Sequence, residues 1–440
     1  MSEYANIEIE NMTLFSFRNY VSPDIVRKIF SNKDLMVIPN YIEDEEDEDA
    51  ENYTRYLYKT TVFKAKERLD AQGYTLSKLE DIFNSNRNQV IDYSSFLCHL
   101  HIDFDEIENK AKERINKYDI TFKQWTNSMN KIVKYELKNG NIWQENKNTK
   151  KNIGVNTECD KIIYYSLTNT DRDSFYALYT DIIDTSYITR LILESCDNDA
   201  EILLDFTYLQ YWDEDCVSKA ISATEDIEKT IVLVEGSSDK DILEFSMNQL
   251  FPHLSDLFYF MDFDDNNGKR GGGTSYIVKN LKIFYFSKIK RNFIAIFDND
   301  AEGYNSKCLL LNNIKKWPSN FKILLYPQID FFKNYPTIAP NGDMVLDDIN
   351  KKAASIELYL PDSIIKNENN YFPVEWESRK KIKNNGQVEA LYQGVISNKD
   401  EIKGKFHKMK NDILSGKSKF KDEEWNRMKV LLESIVFAYR

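Results

Sequence analysis

Two short stretches constrain this chain more than any others: IVLVEGSSD at 231 to 239 and FIAIFDNDAEG at 293 to 303. Each is a continuous apolar run that stops abruptly at carboxylates and a glycine. A run that is apolar at every position, rather than at alternate ones, suits a strand covered on both faces. Such strands belong to parallel sheets, which receive ligands at their carboxyl edge. The two runs are therefore predicted to bring Glu235, Asp239, Asp298 and Asp300 to one place.

A single carboxylate after a strand would do no more than cap the next helix. Four at two strand ends repel one another, and gathering them raises their pKa values unless something neutralises the charge. Hard oxygen ligands of this kind suit Mg²⁺ or Mn²⁺, so one or two such ions are expected here.

The segment from 229 to 345 alternates strand and helix patterns. Strands are predicted at 231 to 235, 257 to 262, 293 to 298 and 321 to 326, with helices at 239 to 250, 274 to 288 and 303 to 316. That alternation is the pattern of a parallel α/β sheet. Asp262, Asp264 and Asp265 in MDFDDNNG do not complete a calcium loop, because the glycine falls one place late and no glutamate closes the pattern; they read as turn residues. GKRGGGTS reverses the glycine and lysine order of a Walker A loop, so any ATPase activity would have to come from a partner.

The paired motifs, Glu-Gly after one strand and Asp-x-Asp-x-x-Gly after a later one, resemble the Toprim domain of topoisomerases, bacterial primases and several nucleases. Glu235 and Gly236 match the first motif, and Asp298, Asp300 and Gly303 the second. EGSSDKDIL, with Asp239 one helical turn beyond Glu235, is similar to the nuclease branch typified by the overcoming-lysogenization-defect (OLD) proteins. So is GKRGGGTSYIV at 268 to 278, comparable to that branch's glycine-containing entry into its second helix. The resemblance implies further site residues: Glu357 in SIELYL as a metal ligand, and Lys403 or Lys405 in EIKGKFHKMK as the lysine stabilising transition-state charge. Glu235 would also transfer a proton.

The resemblance also implies a metal-dependent endonuclease acting on DNA or on structured RNA such as tRNA, in bacterial defence against phage. A partner ATPase and a homo-oligomeric assembly are expected with it. A primase is disfavoured because no zinc-binding module is evident, and a topoisomerase because it needs a tyrosine nucleophile in a gated architecture. The competing class is a non-catalytic Toprim scaffold or sensor that binds nucleic acid or a partner ATPase.

Residues 1 to 228 read as an α-rich region. NIEIENMTLFSF at 6 to 17 alternates like an edge strand, and helices are predicted at 22 to 30, 54 to 71, 76 to 86, 104 to 117 and 121 to 138. NGNIWQENKNTKKN at 139 to 152 reads as a loop, and DRDSFYALYTDIIDT falls in the piece from 153 to 228. The opening strand and ILLDFTYLQYW at 202 to 212 resemble the domain of HEPN/Toprim-associated bacterial proteins. HEPN ribonucleases place an Arg a few residues upstream of a His, and none of His99, His101, His253 or His407 has one. An independent HEPN ribonuclease site is therefore not expected. Alternation along a strand or helix splits Cys98, His99 and His101 between faces, so they read as structural.

The net charge of -13 argues against nonspecific nucleic-acid affinity over the whole surface. Much of it lies in EDEEDEDAE at 43 to 51, which reads as a solvated acidic loop. Residues 346 to 440 read as a helical, lysine-rich extension that completes the site, with SRKKIK at 378 to 383 as a phosphate-backbone contact or an ordinary solvated face. The five cysteines show no CxxC spacing, and the chain lacks both a signal-peptide pattern and a long apolar run. A cytoplasmic protein without a membrane partner is expected.

Overall fold

The computed structural model describes residues 3–42, 53–99, 109–110, 112, 120–140, 153–157, 159–161, 184–225, 227–262, 273–368, 370–384 and 387–440. The chain divides into two compact units, residues 1–227 with Arg440 and residues 228–439. The acidic stretch 43 to 51, the loop from 141 to 152, most of the predicted helix 104 to 117, and His101, Asp264 and Asp265 lie outside the described residues. No described helix is long and apolar enough to cross a membrane.

The first unit sets its helices on a five-stranded sheet. Strands β1 (Tyr4–Ile9), β2 (Met12–Arg18), β3 (Leu35–Tyr41), β4 (Tyr53–Thr61) and β5 (Glu201–Asp205) form an antiparallel sheet in the order β2-β1-β5-β4-β3. NIEIENMTLFSF is thus a hairpin, whose first strand is interior and whose second is the edge. The predicted helix 54 to 71 splits. YTRYLYKTT is rich in aromatic and β-branched residues and pairs with β3 and β5, and Thr61 then caps the helix Val62–Ala71 through its side chain. Helices Pro23–Ile29, Leu76–His99, Phe122–Asn139, Thr185–Leu193 and Glu214–Ile221 also belong to this unit, with Phe83 stacked on Trp125 at 5.0 Å in its core. Cys98 and His99 fall at the end of the helix Leu76–His99.

The second unit begins with β6 (Thr230–Leu233), β7 (Phe258–Met261), β8 (Phe293–Phe297), the short β9 (Asn299–Asp300) and β10 (Phe321–Leu325). Strands β10-β8-β6-β7 form one parallel sheet in that order. Helices Ser237–Leu250, Thr274–Phe286 and Ala301–Asn313 alternate with its strands. All five residues of β8 are buried, as its unbroken apolar run demands. The strand order reverses between β6 and β8, so the ends of these two neighbours form the switch-point crevice where such sheets bind ligands.

From residue 335 onward the chain is strand-rich, and residues 346 to 440 are not the helical extension expected. Strands β11 (Tyr335–Ile338), β12 (Met344–Asp347), β13 (Ala353–Ala354), β14 (Lys366–Asn367), β15 (Asn370–Tyr371), β16 (Val374–Asn384) and β17 (Gln387–Ile396) precede the helices Lys399–Leu414 and Asn426–Val436. The order β12-β11-β16-β17 makes a second sheet around a long antiparallel hairpin. SRKKIK misled as a charged helix surface because its charges are dense; the surrounding Val374, Trp376 and Ile382, with Val388, Tyr392 and Val395 opposite, are strand formers that the pairing recruits.

Candidate active site

Glu235 follows β6, and Asp298 sits between β8 and β9. The parallel pairing of β6 with β8 sets these two positions side by side, and the Asp298 backbone N–H donates to Glu235 Oε1 at 3.3 Å. Asp239 lies in the first turn of the helix Ser237–Leu250, where its Oδ2 accepts the Gly236 N–H at 3.0 Å. Asp300 caps the helix Ala301–Asn313 through the Gly303 N–H, at 2.7 Å. A Cβ on Gly303 would lie 2.2 Å from the Asp298 carbonyl oxygen, so the Asp-x-Asp-x-x-Gly turn can close only over glycine.

The four acids feel one another. Burial pushes the Glu235 carboxyl up to about 8, with the charges of Asp300 and Asp239 adding to it. Burial and then Glu357 push Asp239 to about 7, against the pull of Lys399, the Gly236 N–H and Lys403. Asp298 is driven well above the usual carboxylate range by burial and by Glu235, Asp239 and Asp300. Asp300 is raised by burial too, although the Gly303 and Gln393 donors oppose the shift.

Glu357 lies in a short 3-10 turn, Ile356–Tyr359, and is 2% exposed. Its Oε2 accepts the Ser355 hydroxyl at 2.7 Å and lies 3.4 Å from Lys399 Nζ. The structure thus brings Glu357 to the group through a cation that the sequence reading passed over. Burial works to lower the Lys399 pKa, yet Glu357, Asp298 and Asp239 outweigh it and hold the ammonium charged. Lys399 opens the helix Lys399–Leu414, and Lys403 follows it one turn later on the same face. Lys405 faces elsewhere: its Nζ donates to the Lys366 carbonyl at 2.8 Å, pairs with Glu401 at 3.0 Å and sits 4.8 Å from the Phe372 ring. Of the two lysines expected in the site, Lys403 is near and Lys405 is tied away.

Two further residues escaped the sequence reading. Gln393 on β17 donates its Nε2 to Asp300 Oδ2 at 2.7 Å, while its Oε1 accepts the Glu302 N–H at 3.0 Å. Tyr326, buried after β10, has a phenol raised by burial and then by Asp239, Asp298 and Glu235. The spacing of Lys399 and Lys403 was a usable sequence signal; nothing local marks Gln393 or Tyr326.

A divalent cation fits this donor set in one specific respect. Asp298 Oδ1 is shielded from solvent and has no hydrogen-bond partner, which is costly for an oxygen of this kind unless a ligand uses it. Among the described residues, no three acids, histidines or cysteines are drawn closely enough together to form a ready-made metal cage. Asp239 is engaged with the Gly236 N–H, Asp300 with the Gly303 N–H and Gln393, and Glu357 with Lys399.

The family described as HEPN/Toprim N-terminal domain 1 matches residues 1–220. No curated protein and no solved structure matches the chain.

Proposed function

The chain belongs to the HEPN/Toprim N-terminal domain 1 family, a name that points to nuclease-related work on nucleic acid, and on that premise we propose that residues 228–439 carry a Toprim-type phosphodiester hydrolase. One observation carries the reading: the unpartnered, shielded Asp298 Oδ1 beside Glu235, Asp239 and Asp300, all with raised proton affinity, at the switch point of a parallel sheet. Gathering four buried carboxyls at one sheet edge is costly, and a bound cation would offset that cost.

Asp298 and Asp300, with Glu235 and Asp239, are the residues that would hold one or two Mg²⁺ or Mn²⁺ ions. A divalent cation at such a site neutralises phosphate oxygens and makes a bound water more acidic. Glu235, set beside Asp298, is the carboxyl that would exchange a proton with the attacking or leaving oxygen. Lys399, with Lys403 behind it, offers positive charge to the phosphate as negative charge builds on it. Glu357 anchors Lys399, and its share in a second ion requires Lys399 to release it. The arrangement proposed is that of the OLD-like Toprim nucleases, with DNA or structured RNA such as tRNA as substrate. With it come the proposals of a defence role against phage, a partner ATPase, and a homo-oligomeric assembly.

Incubating the full chain and its Asp298→Ala variant with plasmid DNA and total tRNA in Mg²⁺ or Mn²⁺ tests the reading. Cleavage by the wild type alone is expected, and equal cleavage by Asp298→Ala would refute the role of the acids. The second reading, a non-catalytic scaffold, is favoured by the absence of a ready-made metal cage among the described residues. It predicts neither cleavage nor metal binding by calorimetry.

A further inference from the structure

The hairpin β16–β17 presents two chemically different faces. Its inner face packs on the helix Ala301–Asn313: Ile382 is buried with Ala301 and Cys308, Lys380 pairs with Glu302 at 2.5 Å, and Asn384 Nδ2 donates to the Tyr304 hydroxyl at 3.0 Å. Side chains alternate along a strand, so the intervening residues face away. On β16 these are Arg379, Lys381 and Lys383, all exposed. The register sets them directly opposite Tyr392, Ala390 and Val388 on β17, and directly paired residues share a face.

A row of three cations therefore runs beside a row of one aromatic and two apolar side chains, with Tyr392 51% and Val388 62% exposed. Glu389 belongs to the other face, opposite buried Ile382. The aromatic row continues to Trp376, whose ring lies 6.0 Å from that of Tyr392. The Arg379 guanidinium sits 5.5 Å from the Tyr392 ring, and the Lys352 ammonium 5.8 Å from the Trp376 ring. Lys352 in turn makes a backbone β-bridge with Asp300.

A surface tuned only for solubility intersperses both signs, and the centre of a protein-docking patch is depleted of charge. From Arg379 to Lys383 this face does neither. Cations two residues apart on a strand are spaced about 6.8 Å, comparable to successive phosphates of an extended backbone. Aromatic faces alongside them offer stacking platforms for unpaired bases, which a duplex keeps inside.

We infer that the outer face of β16–β17 binds single-stranded nucleic acid, with phosphates along Arg379, Lys381 and Lys383 and bases over Tyr392 and Trp376. The identity of the ligand rests on the nuclease reading above; its location rests on the two rows.

Fluorescence anisotropy of the full chain in EDTA, with labelled oligo(dT), oligo(rU) and a duplex of equal length, tests this without turnover. Either single strand is expected to bind more tightly than the duplex, and the tighter of the two identifies the sugar preferred. Reversing Arg379, Lys381 and Lys383 to Glu should weaken binding at least about a hundredfold and flatten the salt dependence by roughly two to three phosphate contacts. Tyr392→Ala should weaken it about tenfold with an unchanged salt slope. Should the triple variant melt at a lower temperature, Lys381→Gln with Lys383→Gln replaces it, with about a tenfold loss expected. Wild-type affinity in these variants, preference for the duplex, or no binding by the wild type would each overturn the inference. Cleavage in Mg²⁺ that ignores the hairpin variants sinks this inference alone, whereas hairpin-dependent binding without any cleavage sinks the nuclease reading alone.

Discussion

Gln393 holds Asp300 Oδ2 at 2.7 Å with its amide nitrogen while its amide oxygen accepts the Glu302 N–H at 3.0 Å, tying the hairpin to the start of the helix that carries the second acidic motif. With Oδ1 accepting the Gly303 N–H at 2.7 Å, both oxygens of the Asp300 carboxylate are held in a fixed orientation. Gln393→Leu removes both contacts and leaves a recessed carboxylate oxygen and a backbone N–H without partners, each costing about 1–3 kcal/mol. Cleavage of plasmid or tRNA is expected to fall at least about tenfold, with the melting temperature lowered. Full activity in Gln393→Leu would show that Asp300 needs no positioning.

Gly303 and Gly404 make a matched pair of tests. A Cβ at Gly303 collides with the Asp298 carbonyl oxygen at 2.2 Å, whereas one at Gly404 meets nothing within 4 Å. Gly303→Ala is expected to destabilise the second unit by roughly 1–3 kcal/mol and to suppress activity, since the backbone of the acidic turn must move. Gly404→Ala, inside a helix, should stabilise by about 0.5–1 kcal/mol and leave cleavage intact. Denaturant melts of both variants decide the point.

Lys399 and Lys405 should separate cleanly in assay. Lys399→Met removes the ammonium paired with buried Glu357 and felt by Asp298 and Asp239, so both activity and stability should fall, activity by roughly a hundredfold or more. Combining it with Glu357→Gln should recover the melting temperature but not cleavage. Lys405→Met is expected to cleave within about twofold of wild type, because its Nζ is held by Lys366 and Glu401. An inactive Lys405→Met with an active Lys399→Met would reverse the assignment.

The raised acids give the metal-free protein a pH signature. Glu235 moves from 4.5 to about 8 and Asp239 from 3.8 to about 7 on folding. Folded-state values above the unfolded ones mean that the folded state binds protons more tightly. Their stabilising contribution is therefore fully present below about pH 4 and is lost as pH rises through 7 to 8. In EDTA the melting temperature should decline across that window, and Glu235→Gln should flatten the decline. Mg²⁺ added at pH 8 should restore stability and release protons, which calorimetry in buffers of different ionisation enthalpy would detect. A flat melting profile in EDTA would remove the electrostatic basis of the site.

The parallel sheet was legible because its strands are short, largely apolar runs, unbroken in β8, and two of its helices open on the acidic motifs themselves. Predicted and observed strands of β6, β7, β8 and β10 differ by a residue or so at their ends. The hairpin β16–β17 was not legible, since its inner face is only half apolar and its charges read equally well as a solvated helix. In the first unit, β1 pairs with β5, nearly two hundred residues away, and no local pattern announces that partner.

By itself the sequence determined which residues end the buried strands, and with them the two acidic motifs, because periodicity and turn chemistry act over a few neighbouring residues. Glu235 and Asp298 were placed together by that logic alone. Tertiary structure decided which distant groups stand against them: Lys399 rather than Lys405, Gln393 from a hairpin ninety-three residues beyond Asp300, and Tyr326 beneath the site. Such partners are chosen by how the second sheet and the last helices settle on the first, a non-local packing energy that no short window of sequence records.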